Sequence, residues 1–305
     1  MEHMKIGLML PLGESEAGGW SNLRDLAATA EREGLDSVWG ADHLVFRDDD
    51  DDGGGWRGIH ESWTVLTAVA AITERVEIGP LVLALPFRNP ALTAKMAAQL
   101  DEVSGGRLIL GLGCGWHEPE FDAFGYPFDH RVGRFEEGLE ILVPLLRGER
   151  VTFEGRWHQV RDAQLLPKPI RPDLPVLIAG KQPRMLSLVA RHADQWNAAW
   201  YGDPADADVL RTRLETLRTA LAEAGRDPAT LELTAGIFVA GDADDGAPES
   251  AIRGSAEQVG DALARYAELG VSHLIAHTWP RKPDGVKRLA EATAIARDKV
   301  GVAVA

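Results

Sequence analysis

Residues 89–115 read NPALTAKMAAQLDEVSGGRLILGLGCG and hold one complete helix–strand unit. Asn89 followed by Pro90 is an N-cap with proline at the first helical position, where the missing N–H is no loss. Gly105-Gly106 stops the helix. Arg107–Leu112 is then a short, largely apolar run, as a strand buried on both faces requires. The chain leaves it through Gly111, Gly113 and Gly115.

The same alternation continues in both directions. Strand-like runs fall at Lys5–Leu10, Asp36–Gly40, Val76–Leu85, Arg107–Leu112, Pro175–Ala179, Gln195–Ala199, Leu231–Val239 and Ser272–Thr278. Helical segments lie at 21–33, 134–146, 183–192, 207–224, 255–269 and about 284–299. Leu23, Leu26, Ala27 and Ala30 share one face of the first. Ser255 and Gln258 form a capping box for another, which closes at Gly270. Eight strands in strict alternation with eight helices call for a parallel sheet with helices outside. A doubly wound sheet would satisfy this, but eight units fit a closed α/β (β/α)8 TIM barrel better. The expectation is a single barrel domain over 1–305, with insertions after strand two (about 41–60) and strand four (148–174). The first contains DDDDDGGG at 48–55, read as a solvated tip; it lacks the interleaved ligands and terminal Glu of a calcium loop. In the second, VTFEGRWHQV (151–160) reads as a β-hairpin turning at Glu154-Gly155.

Bulk properties narrow the function. The 305 residues carry a formal net charge of −15, with 45% hydrophobic and 26% charged residues. No basic cluster marks a nucleic-acid face. A single cysteine, Cys114, allows neither an intrachain disulfide nor a cysteine-based zinc site. MEHMKIGLML has neither the length nor the flanks of a signal peptide, and no apolar run reaches membrane-spanning length. A cytoplasmic protein acting on a small molecule is expected.

In a barrel, the C-terminal strand ends build the site. They would bring together Asp42-His43, Leu85–Arg88, Gly111–Glu118, Gly180–Gln182, Trp196–Trp200, Gly236, Phe238 and His277–Trp279. Such a mouth, rich in aromatics, His and Gly, suits a large flat ligand. The alternate glycines would share one strand face and let a planar ring lie on bare backbone, or serve only tight packing. Their spacing and position are not those of a dinucleotide fingerprint. In VLIAGKQPRML (176–186) a strand turns into a helix near Pro183, whose free N–H groups, with Lys181 and Arg184, would hold a phosphate; a plain turn is the alternative. His43 is a proton carrier or half of a structural Asp–His pair. Glu118 is a cofactor or substrate contact. Cys114 has no evident base partner. A metal-dependent barrel hydrolase would carry an HxH pair after strand one, where this chain has Pro11-Leu12-Gly13; no metal site is expected.

Four segments also resemble the luciferase-like monooxygenase superfamily, FMN- or F420-binding (β/α)8 barrels: GLDSVWGADHL (34–44), 87–121, GYPFDHRVGRFEEGLEIL (125–142) and PVLIAG…ARHADQWN (175–197). The likeness is to the F420-dependent subgroup. It implies that Asp42 and His43 lie at the redox face, His43 moving the proton. It implies a cis peptide behind the ring at Leu81-Val82, and strand-four contacts from Gly113, Cys114 and Gly115. It implies a phosphate grip at Ala179, Gly180, Lys181 and Gln182, where the family has a run of glycines. Either Lys181 adds a contact there or affinity is weak. The implied activity is hydride transfer between F420 and a small organic substrate, in a homodimer. The alternatives are an FMN-dependent monooxygenase using O2 and a reductase partner, and a non-catalytic flavin-binding barrel.

Overall fold

The computed structural model describes residues 4–47, 55–241 and 246–304. Its strands are β1 (Lys5–Met9), β2 (Ser37–Gly40), β3 (Val45–Arg47), β4 (Trp56–Gly58), β5 (Glu77–Pro80), β6 (Leu83–Ala84), β7 (Leu110–Gly113), β8 (Val151–Glu154), β9 (Gln159–Ala163), β10 (Val176–Ala179), β11 (Gln195–Tyr201), β12 (Glu232–Ala240), β13 (Ile252–Arg253) and β14 (His273–Trp279). Its α-helices are α1 (Glu14–Ala17), α2 (Trp20–Arg32), α3 (Ser62–Ile72), α4 (Pro90–Val103), α5 (Glu118–Phe124), α6 (Arg131–Leu146), α7 (Pro183–His192), α8 (Asp208–Glu223), α9 (Ala256–Glu268) and α10 (Pro283–Val304). The N-caps read from sequence hold: Asn89 accepts from the N–H groups of Ala91 and Leu92, and Ser255 with Gln258 forms the capping box.

The parallel strands run in the order β5-β2-β1-β14-β12-β11-β10-β7-β6. The two ends, β5 and β6, are halves of the third strand read from sequence, so the sheet wraps back onto itself as a barrel. A parallel bridge between Ile78 and Leu108 closes the seam. The expected single strand Val76–Leu85 is interrupted at Leu81-Val82, where the peptide bond is cis, the position the family likeness implied. Helix α3, for which the sequence reading gave no bounds, is capped by Glu61. The first insertion, expected as a loop, contains the antiparallel pair β3–β4. Its Asp-rich run at 48–52 lies outside the described residues. The second insertion carries the expected hairpin, β8–β9. The Glu137 carboxylate of α6 accepts from the N–H groups of Arg156, Trp157 and His158 and ties that hairpin down.

Inside the barrel, Met9, Trp39, Leu81, Ile109, Leu177 and Ile275 form one buried cluster; the larger core lies between sheet and helices. Trp39 is fully buried there because Gly79 faces it: a Cβ on Gly79 would lie 2.7 Å from the indole. Gly111 faces the backbone of β5, and a Cβ there would lie 2.1 Å from the Pro80 carbonyl oxygen. Backbone cannot swing aside as a side chain does, so Gly111→Ala is expected to destabilise the protein by about 3 kcal/mol or more. Urea unfolding measures this.

Below Trp39 the interior turns polar. The indole N–H donates to Ser37 Oγ at 2.7 Å, which also meets His273 Nε2 at 2.7 Å. Burial, with Lys5 nearby, pushes the His273 pKa down to about 3, and burial pushes that of His277 down to about 4. Between these values and the unfolded value of 6.5 the unfolded chain binds protons that the folded chain refuses. The stabilisation is therefore complete above pH 6.5 and is lost as pH falls towards 4, by about 1 kcal/mol per pH unit for each histidine. In urea titrations at pH 7, 6 and 5, His273→Gln is expected to flatten that slope by about one proton.

Candidate active site

The β2 strand ends at Gly40 and delivers Asp42 and His43 to the barrel mouth. Their roles separate. Asp42 is buried and turned towards Arg88: Nη1 donates to Oδ2 at 2.7 Å and Nη2 to Oδ1 at 2.8 Å. The Ala84 N–H donates to Oδ2 at 2.9 Å. This planar two-point pair fixes the chain after the split third strand against the end of β2. Asp42, expected beside His43 at the redox face, has its oxygens taken up by Arg88 and Ala84.

The carboxylate that does meet His43 is Glu120. Its Oε1 lies 3.0 Å from His43 Nδ1, and its Oε2 accepts from the Leu44 N–H at 2.9 Å. Glu120 is 2% exposed and His43 is 20% exposed. A carboxylate acceptor fixes the hydrogen on Nδ1, leaving Nε2 as the nitrogen that exchanges protons. Phe46, Trp116 and His117 surround the imidazole edge to face, at 5.4, 5.6 and 6.3 Å. His117 is buried, stacks on Phe46 at 4.3 Å and accepts at Nε2 from the Arg47 N–H.

Glu118, expected as a contact, is exposed. It opens α5, and two residues along a helix rotate a side chain by roughly 200°, so Glu120 turns to His43 and Glu118 turns away. The sequence did hold a signal for Glu120. In His117-Glu118-Pro119-Glu120-Phe121 the proline starts a helix, and Phe121, fully buried, marks its inner face.

The glycine stretch also divides. A Cβ on Gly113 would lie 2.7 Å from Val82 Cγ2, so the space over Gly111 and Gly113 is occupied by residues 80–82 of the third strand. Packing accounts for those two glycines. Gly115 lies beyond β7 with φ 73°, next to the Phe121 ring, and does not continue the strand face. Cys114 is half-buried, and burial pushes its thiol up, with Arg131 opposing; it is no activated nucleophile.

The turn at Ala179, Gly180, Lys181 and Gln182 follows β10, which pairs directly with β7 (Ile178 opposite Leu112). It therefore sits beside Gly113–Gly115. Gln182 is the N-cap of α7, and its side chain caps none of the first-turn N–H groups. Lys181 is exposed, Arg184 pairs with Glu136 at 2.7 Å, and the Gly180 carbonyl accepts from Trp196 Nε1 at 2.8 Å. Such a helix start can hold an anion.

The last barrel strands bring in Trp200, Phe238, His277 and Trp279, a second group of rings. Trp200 packs on the barrel-interior cluster that contains Leu81. Among the described residues, no helix is long and apolar enough to cross a membrane, and no group of three His, Cys, Asp or Glu could hold a metal ion.

An α/β barrel with a carboxylate-held histidine at its mouth thus defines the class. The family model for luciferase-like monooxygenases matches residues 4–253, and the chain belongs to that family. It is 35% identical over 197 residues to an F420-dependent glucose-6-phosphate dehydrogenase of Amycolatopsis mediterranei, covering 61% of this chain and 56% of that one. The chain thus spans little more than half the length of the curated relatives it matches first, at 56%. Among solved structures, an F420-dependent secondary alcohol dehydrogenase in complex with an F420-acetone adduct superposes with TM-score 0.81 at 21% identity, over 97% of this chain and 100% of that one. The monooxygenase RslO1 from Streptomyces bottropensis gives TM-score 0.76 at 22% identity, over 99% and 100%. At such identities these structures share the fold.

Proposed function

We propose that the protein is an F420-dependent oxidoreductase that exchanges a hydride with a small organic substrate, His43 handling the proton. The observation that carries this is the His43–Glu120 pair at the barrel mouth. The naming of a 35% identical relative as F420-dependent supports the cofactor. The residues present fit such a group. Leu81 and Val82, the latter packed over Gly113, would back its ring, and the backbone of Cys114 and Gly115 would border it. The start of α7, with Ala179, Gly180, Lys181 and Gln182, would hold its phosphate. When bound, F420 supplies or accepts the hydride at a ring carbon.

The chain's own part is proton transfer and positioning. His43 Nε2 gives a proton to a substrate oxygen as hydride arrives, or removes one as hydride leaves. Glu120 orients the imidazole through its hydrogen bond to Nδ1. The Asp42–Arg88 pair positions the strand end that carries His43, and the aromatic rings exclude water. By the same family likeness, the protein is proposed to work as a cytoplasmic homodimer.

Fluorescence titration of the apo-protein with F420 and with FMN tests the cofactor. Saturable micromolar or tighter binding of F420, with FMN weaker, is expected. Tight FMN binding without F420 binding would transfer the assignment to a flavin monooxygenase fed by a reductase.

A further inference from the structure

Beyond His43, the barrel mouth holds a wall of rings that the hydride chemistry does not use. Phe238 and His277 lie opposite each other on the paired strands β12 and β14, 5.7 Å apart and nearly parallel at 13°. Trp200, on β11, lies 5.4 Å from Phe238 and 4.9 Å from His277. Trp279 closes the group at 6.0 Å from each of Phe238 and His277. A register shift between Asn197 and Trp200, with Ala199 at φ 82°, lets Trp200 lie over Gly236. All four rings are half-buried. They form an apolar face that still meets the mouth.

One polar group interrupts this face. His277 makes ring contacts, and no hydrogen bond to it is found among the described residues. Its depressed pKa keeps it neutral at physiological pH, with one donor and one acceptor nitrogen. Two cations beside the wall already have partners, though Arg281 Nε makes no hydrogen bond among the described residues. Arg281 lies 4.5 Å over the Trp279 ring and pairs with Glu16. Arg213 donates to the Ala198 carbonyl and the Tyr201 hydroxyl.

Resting on the oxidoreductase reading, we propose that the substrate is an uncharged molecule with a flat apolar body and one oxygen function. The body seats on Trp200, Phe238 and Trp279, and the carbonyl oxygen, with two lone pairs, accepts from His277 as well as from the proton-carrying His43. A polyol phosphate would need partners for several hydroxyls and a cation for its charge, and desolvating them against rings is unfavourable. A flat apolar body gains contact with every ring.

The test uses 2-acetylnaphthalene, naphthalene and glucose 6-phosphate as probes. Their binding to the apo- and F420-loaded protein is read by tryptophan fluorescence, and turnover of the two oxygen-bearing probes by F420 absorbance. The ketone is expected to bind more tightly than glucose 6-phosphate. Trp200→Leu, which keeps an apolar side chain but loses the flat face, is expected to weaken ketone binding about tenfold or more. His277→Phe is expected to weaken the ketone by about 3- to 10-fold and to leave naphthalene unchanged. Tighter binding of the sugar phosphate, or ketone affinity indifferent to both substitutions, overturns the proposal. Probe binding as expected without any F420 binding overturns the cofactor reading and leaves the substrate class standing. Trp20→Phe, on the exposed start of α2, controls for loss of tryptophan signal.

Discussion

His43→Ala is expected to lower kcat by about 10²- to 10⁴-fold while F420 affinity stays close to wild type. Hydride transfer to a carbonyl leaves charge on oxygen unless a proton arrives. A positioned imidazole supplies it within the same step. Among the described residues, the hydrogen bond that holds the ring comes from Glu120 at Nδ1, 3.0 Å away. Removing it takes the proton donor but leaves the proposed cofactor contacts at 81–82, 114–115 and 179–182 in place. Stopped-flow single turnovers, which isolate chemistry from release, should show the whole loss in the chemical step. Glu120→Gln is expected to fall between wild type and His43→Ala. Its amide must face two donors, His43 Nδ1–H and the Leu44 N–H, and has one oxygen to offer. An unchanged kcat in His43→Ala would move proton transfer to another group.

The second large effect is on stability. Asp42→Ala is expected to cost about 3–5 kcal/mol. The Arg88 side chain is 14% exposed, and without Asp42 its remaining ion-pair partner is Glu61, 3.3 Å away and 44% exposed. The buried Ala84 N–H would lose its acceptor as well. Urea denaturation reads the loss as a lower midpoint. The double substitution Asp42→Leu with Arg88→Met removes both charges together and is expected to recover much of it. Recovery stops short by about 1–3 kcal/mol, because the Ala84 N–H remains unpaired. Asp42→Ala with wild-type stability would mean that the pair does not hold the two strand ends together.

Much of the architecture was written locally. The period-two and period-3.6 patterns, the Asn89-Pro90 start and the Ser255 capping box each depend on neighbours within a turn or two, so the barrel and the second-insertion hairpin could be read along the chain. The residues at the strand ends, His43 among them, followed from the barrel alone.

What the chain could not tell was which groups meet across it. His43 and Glu120 are 77 positions apart, and Asp42 and Arg88 are 46 apart. Glu118, the carboxylate singled out along the chain, and Glu120, the one that meets His43, differ by about half a helical turn, and where α5 begins decides which faces the histidine. Gly113 looked like bare floor for a ligand until the third strand, split at Leu81-Val82, brought Val82 over it. Periodicity fixes the face on which a side chain lies. Its partner is decided by how separate elements rotate and close around a shared core, and only the folded barrel sets that.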